Sequence, residues 1–296
     1  VRNPVAMLNL TNDKTQTDRI LANVTGTLTI LKDLKYKMNV ALDQTKATRK
    51  VTQDKSLIYL TDNGTADINN VEAGNFLIEN YLTYNFNLAK KHSFNLLGGH
   101  SYQKFRNYYY GMSETGFTVD NIDYLYDLSY GKNKQVTSTS GITVNELQSF
   151  FGRVNYGLLD KYLLTVNFRA DGSTKFGENN KYGYFPSAAL AWRMSEENFI
   201  KKLNVFENLK LRLSWGITGN QEIPNKISQM LLGSTSGAIL NGGSTVVPGI
   251  TLTRTPNPNL KWEKTEQVDL GADFSVLKGR LSGTIDVFSK TTKDVL

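Results

Sequence analysis

The residues able to do chemistry in this chain are few and poorly spaced for it. Cysteine is absent, and the two histidines, His92 and His100, stand eight positions apart. Disulfides, thiolate catalysis and a clustered histidine–cysteine metal site are thereby excluded. Ser234, Thr235 and Ser236 lie in Gly-Ser-Thr-Ser-Gly, which resembles a nucleophile elbow, but the central position is threonine. Asp269 and Asp273 share one face of an expected strand and sit four residues apart, ~13 Å at strand rise. Glycosidase carboxylates stand only about 5–9 Å apart. No Gly-x-x-x-x-Gly-Lys-Ser/Thr loop occurs to cradle a phosphate. The expectation is a protein that is not an enzyme and has no resident cofactor or metal.

A second group of residues has binding chemistry. Arg169, Asp171, Gly172, Ser173, Lys175 and Gly177 spell Arg-x-Asp-Gly-Ser-x-Lys-x-Gly. This can be a rim motif that touches a cargo. It can equally be a turn, with Asp171 and Ser173 bonding nearby amides and the glycines supplying positive φ, and the turn is the expected use. The alternating acidic ligands of a calcium loop are missing from 171–180. Tyr108, Tyr109, Tyr110, Tyr124, Tyr126 and Tyr130 crowd one expected loop. Flat rings with a polar edge suit sugars or peptides, and they also suit a loop that packs on itself. Asn220 and Gln221 follow a strand, where their amides can bond cargo or close a turn. Trp262, after Asn257-Pro258-Asn259, is expected to anchor an aromatic girdle. The candidate substrate contacts are Tyr109, Tyr124, Tyr126, Arg169, Asn220 and Gln221.

The elements that must position these residues are strands. Apolar residues recur at every second position over long runs. Ile20, Ala22, Val24, Leu28 and Ile30 oppose Asn23, Thr25, Thr27 and Thr29; Leu82, Tyr84, Phe86 and Leu88 oppose Thr83, Asn85 and Asn87. Tyr162, Leu164, Val166, Phe168 and Ala170 oppose Thr165, Asn167, Arg169 and Asp171. About ten strands are expected, many near the 9–11 residues that cross a bilayer at a tilt. Short turns fall at Lys32-Asp33, Lys90-Lys91, Asp160 and Lys278-Gly279, and a longer connection near 195–208 is expected to hold one helical turn capped by Ser195. Long loops are expected at 47–75, 108–147, 172–183 and 218–261, the last including Asn241. Short turns on one side and long loops on the other is the arrangement of bacterial outer-membrane barrels, with the long loops outside.

Composition agrees with that arrangement. Mean hydropathy is -0.36, and no run of about 18 apolar residues marks a membrane helix. Alternating barrel strands average to soluble-looking hydropathy. The net charge of +7 is scattered singly along the chain, which argues against nucleic acid. A soluble β-sandwich such as a carbohydrate-binding module also alternates, but its strands are shorter and its loops are not one-sided. The opening Val-Arg-Asn-Pro lacks the features of a signal peptide and the end reads as an interrupted strand, so a piece of a longer protein is expected.

Three stretches carry a family resemblance. Residues 151–199 (FGRVNYGLLDKYLLTVNFRADGSTKFGENNKYGYFPSAALAWRMSEENF), 208–223 (NLKLRLSWGITGNQEI) and 257–296 (from NPNLKWEKTEQVDLGADF) are similar to the SusC/RagA family of TonB-linked outer-membrane transporters. The resemblance implies an all-β fold, an antiparallel transmembrane β-barrel of about 22 strands with a plugged lumen. Residues 1–296 are then part of one barrel domain, and the plug, the segment that engages TonB and the closing C-terminal strands are expected elsewhere. It also implies active import of oligosaccharides or peptides under a SusD-like surface lipoprotein, powered by the TonB complex, in the outer membrane of a Gram-negative cell. Outer-membrane lipid is the remaining implied partner. A passive porin would present the same wall without a plug.

Overall fold

The computed structural model describes residues 3–57, 63–117, 123–132, 136–239 and 246–295. Asn241 lies outside them. A short helix, α1 (Pro4–Leu10), begins the chain, and Asn3 caps it by accepting from the Val5 and Ala6 amides. Asparagine at the cap and proline at the first helical position is a standard helix start. Twelve strands follow among the described residues: β1 (Thr11–Leu31), β2 (Leu34–Gln53), β3 (Thr65–Leu88), β4 (His92–Thr115), β5 (Thr137–Leu158), β6 (Tyr162–Ser173), β7 (Tyr182–Arg193), β8 (Phe206–Asn220), β9 (Leu231–Ile239), β10 (Val246–Arg254), β11 (Glu263–Val276) and β12 (Leu281–Lys293). Ten form one sheet in the order β1-β2-β3-β4-β5-β6-β7-β8-β11-β12, while β9 and β10 pair as a separate hairpin. The fold is an all-antiparallel meander, as a partial barrel requires.

Register shows why alternation dominates the sequence. Val154 pairs with Val166, Val166 with Ala188, Ala188 with Trp215, and Trp215 with Val268. The next row on the same face runs Tyr156, Leu164, Leu190, Leu213, Leu270 and Val287. Leu190, Leu213, Leu270 and Val287 are all exposed. The opposite face carries Asn155, Thr165, Ala189, Ser214 and Asp269 in one row. Its side chains bond across strands: Asn155 donates to Asn95 at 3.0 Å, Thr165 to Asn155 at 2.9 Å, and Asn95 to Asn85. Further along, Arg212 holds Asp273 at 2.9 Å and Asp286 at 2.8 Å. Gly271 leaves the room for the second of these pairs, since a Cβ there would meet Asp286 and the guanidinium. One face is thus apolar without a cover and the other is polar and cross-linked.

The short turns stand where the sequence predicts them. Ala89-Lys90, Leu159-Asp160 and Leu277-Lys278 each put two successive residues at positive φ, which matches the twist of tight hairpins. The connection 194–205 does hold helical turns, a 3-10 turn at Met194–Glu196 and α2 (Asn198–Lys201). Ser195 does not cap either one: it is buried inside the first turn, and neither turn has a side-chain cap. Glu197 organises this connection instead. Its carboxylate accepts from Lys161 at 2.9 Å, Tyr162 at 2.8 Å and Trp192 at 3.3 Å. Lys161 above all, then Tyr162, holds its pKa below the usual 4.5.

The long loops are shorter than expected. Much of 47–75 and 108–147 is strand, because β2 to β5 reach 20–24 residues. Packing divides the chain into two compact units, and the first is Val1–Val24, Val40–Leu77 and Gln103–Asn145. In this unit many strand pairings are polar: Arg19 with Asp43 at 2.7 Å, Arg49 with Asp13 at 2.6 Å, and Thr48 with Asn70 at 2.7 Å. Where polar pairs such as Arg49–Asp13 and Thr48–Asn70 hold the ladder, the alternation that marks a strand in the sequence is missing. The other unit is Thr25–Asn39, Ile78–Tyr102 and Glu146–Leu296. It contains the two-faced rows described above.

Candidate functional site

In the second unit, the connection 174–181 and the segments around Ile223 and Leu260 meet at an aromatic cluster. Phe176, Phe185 and Trp262 are buried together, with Leu147, Ile217, Ile223 and Leu260 around them. Trp262 contacts Phe176 at a 4.7 Å centroid distance and meets Phe185 edge-on at 5.3 Å, and its indole N–H donates to the Lys181 carbonyl at 3.0 Å. It is therefore a core residue of this cluster, which corrects its expected place in an outer girdle. Both its apolar body and its one polar atom are satisfied internally.

The Arg-x-Asp-Gly-Ser-x-Lys-x-Gly motif leads into this cluster. Ser173 Oγ accepts from the Lys175 amide at 3.2 Å, as a turn motif should. Asp171 pairs with Arg169 at 2.9 Å, where the sequence predicted a bond to a local amide. Gly172 and Gly177 are not at positive φ. Their lack of a side chain serves close packing: a Cβ on Gly172 would meet the Tyr182 ring, and one on Gly177 the Pro258 backbone. Lys175 reaches across to the Gln221 carbonyl at 3.2 Å, tying the connection 174–181 to the segment after β8. Arg169 lies over the Phe151 ring at 5.2 Å, a cation–π contact, and remains partly exposed. Asn220 bonds Glu263 at 3.3 Å and accepts from the Glu222 amide at 2.9 Å, closing a turn. Gln221 buries its side-chain oxygen with no partner among the described residues.

In the first unit the tyrosines divide. Tyr124 is buried and stacks on Phe117 with centroids 4.2 Å apart, beside Ala66 and Leu128. Tyr126, two residues on, is 83% exposed. Tyr109 is about half exposed and lies against Gly141, where a Cβ would come within 2.5 Å of the ring. Tyr108 and Tyr110 contact each other at 5.4 Å, with Arg106 6.0 Å above Tyr108. Alternate residues of one strand share a face, so Tyr108 and Tyr110 project together while Tyr109 projects oppositely.

Neither histidine sits among acids. His92 bonds the Tyr156 hydroxyl at 2.7 Å and His100 bonds Gln148 at 3.2 Å. Among the described residues no group of three or more histidine, aspartate or glutamate side chains is arranged to hold a metal. The polar ladder Asn85–Asn95–Asn155–Thr165 and the Arg212–Asp273–Asp286 cluster were not singled out from the sequence. The available signal was the recurrence of asparagine opposite the apolar positions of successive strands.

Comparisons with known proteins agree with this geometry. The family model "TonB dependent receptor-like, beta-barrel" matches residues 3–296. TonB-dependent receptor P3 of Formosa agariphila is 34% identical over all of this chain and 29% of its own length. TonB-dependent receptor SusC of Bacteroides thetaiotaomicron is also 34% identical, again over all of this chain and 29% of its own length. The solved RagAB peptide transporter superposes on 97% of this chain and 31% of the matched chain, with a TM-score of 0.88 and 26% identity. The chain thus spans about three tenths of the length of these relatives. With the meander, the two-faced register and the family match in agreement, the chain belongs to the TonB-dependent receptor β-barrel family and is of the SusC/RagA kind.

Proposed function

We propose that this chain forms wall and outer loops of an active importer in the outer membrane of a Gram-negative cell. The importer takes up oligosaccharides or peptides, works with a SusD-like surface lipoprotein and draws energy from the TonB complex. The observation that carries this reading is the register. Uncovered apolar rows such as Tyr156–Leu164–Leu190–Leu213–Leu270–Val287 back directly onto a hydrogen-bonded polar face. A sheet with those two faces fits lipid on one side and a hydrated lumen on the other. Similarity to SusC and to the RagAB peptide transporter supports the choice of cargo class and of partner.

The role of this segment is passive and structural, with no catalysis. Tyr126 and Tyr109 present ring surface toward incoming cargo or the lipoprotein, Arg169 presents a cation, and Tyr124 shapes the loop that carries Tyr126. Asn220 and Gln221 hold the rim beside them in sequence and contribute amides to it. The test is uptake of labelled oligosaccharides and peptides by cells carrying the full-length protein, with and without functional TonB. Uptake should require TonB and should weaken in the double variant Tyr126→Ala/Arg169→Ala. Uptake that continues without TonB identifies a passive porin and refutes the proposal.

A further inference from the structure

Four short turns and the longer connection after β7, all in the second unit, share an unexpected composition. Residues 31–35, 89–92, 159–161, 193–207 and 277–280 together hold ten lysines and arginines against five carboxylates, a surplus of five in a chain whose total is +7. They occupy one edge of the sheet. The Leu159 amide bonds the Lys91 carbonyl at 2.7 Å, and the Arg193 amide bonds the Lys161 carbonyl at 2.8 Å. Three of the cations, Lys161, Arg193 and Lys201, are paired with Glu196 or Glu197. Lys32, Lys90, Lys91, Lys278 and Arg280 are exposed, with no ion pair among the described residues.

An exposed leucine accompanies the cations in every connection. Leu31 precedes Lys32, Leu88 lies two residues before Lys90, Leu159 two before Lys161, and Leu277 precedes Lys278; in the fourth, Leu203 follows Lys202. All five leucines are at least 47% exposed. A leucine at a water-facing turn is unexplained by folding, since it buries nothing there. Beside them, on the apolar face, Tyr162 and Trp192 direct their polar atoms toward Glu197 of the connection. Aromatic rings with polar tips aimed one way mark the level where hydrocarbon gives way to headgroups. The leucines then reach the acyl boundary while the lysine ammonium groups stand in the phosphate layer.

We infer that this edge is a basic collar that binds the phosphates of anionic phospholipids in the leaflet next to the short turns. The inference rests on the reading of the apolar face as lipid-facing. Exposed lysines near a membrane surface each favour anionic lipid by roughly fivefold at most, so their effect is large enough to select lipid. It is a surface interaction and weakens with salt.

The experiment uses the full-length protein in bilayers of phosphatidylcholine containing trace spin-labelled phosphatidylglycerol or spin-labelled phosphatidylcholine. The motionally restricted fraction of each label reports its preference for the protein surface. Wild type should favour phosphatidylglycerol by about threefold or more, with the preference reduced in 1 M salt and unchanged by 10 mM inorganic phosphate. The variant Lys32→Gln/Lys90→Gln/Lys91→Gln/Lys278→Gln/Arg280→Gln should fall near parity, and the matching lysine-to-arginine variant should keep the preference. Heat-modifiable migration on gels establishes that each variant is folded. Equal restriction of both labels by wild type, or an undiminished preference in the glutamine variant, overturns the collar and leaves the importer reading standing. Displacement by inorganic phosphate overturns it in favour of a simple anion site. Failure of the folded protein to enter either bilayer overturns the barrel reading beneath it.

Discussion

Replacing Val166 by arginine tests the facing of the whole sheet at one position. Val166 lies on the apolar face between Val154 and Ala188. Tyr162, bonded to Glu197, fixes the near interface, and Val166 follows four residues later. At about 3.3 Å per residue that is ~13 Å along the strand. A tilt of roughly 40° reduces it to about 10 Å of depth, close to the middle of an apolar band about 25 Å tall. An arginine at that depth costs about 2–4 kcal/mol, since its charge must snorkel or draw water inward. Ser214 is the control. It is the neighbour of Trp215, which shares the registered row of Val166, and points to the opposite face, directly across from Asp269. Arginine there meets a carboxylate and a hydrated lumen, so Ser214→Arg should change stability by less than about 1 kcal/mol. Urea titrations of the full-length variants folded into phosphatidylcholine vesicles measure both. Equal costs, or a larger cost for Ser214→Arg, refute the assignment of lipid and lumen faces.

Four other perturbations probe the connections. Gly177→Ala drives a methyl into the Pro258 backbone, and overpacking of this kind costs about 1–3 kcal/mol; limited proteolysis should find 221–239 more open. Trp262→Ala empties the centre of the Phe176–Phe185 cluster, a loss of about 3–5 kcal/mol, while Trp262→Phe loses mainly the bond to Lys181, near 1 kcal/mol; hydrogen exchange of 174–181 should rank the two. The depressed pKa of Glu197, caused first by Lys161, makes its stabilisation present above the ordinary value of 4.5 and lost as pH falls through the lower folded value. Urea midpoints of wild type and Glu197→Gln should therefore differ at pH 7 and converge once the pH has fallen below the lowered folded value. Finally, in cells expressing the full-length protein, Tyr126→Cys should react with a membrane-impermeant maleimide and Asp160→Cys only after lysis, since the chain contributes no thiol of its own.

Much of the fold was legible in the sequence because an uncovered apolar face backing onto a polar, hydrogen-bonded face leaves a period-two record. That record gave the strands on either side of Asp160 and the short turns at Lys90 and Lys278, each later found with positive φ. It failed where both faces are polar. The far parts of β2 to β5 look like loop in the sequence because Arg49–Asp13 and Thr48–Asn70 pairs replace apolar alternation. Only pairing between strands reveals them as β-structure.

The candidate contacts divide in the same way. Residue type alone identified tyrosines with binding chemistry, but burial is a property of the packed loop, and it separates Tyr124 from Tyr126 two positions later. The Arg169–Gly177 motif was visible as a turn from its composition. That its glycines serve close approach to Tyr182 and Pro258 depends on segments up to 81 residues away in the chain. Trp262 reads as a surface anchor until Phe176 and Phe185 are brought around it. The sequence by itself determined the strand period and the family. Tertiary structure decided which residues bury, because burial depends on neighbours that are remote along the chain and that no local pattern encodes.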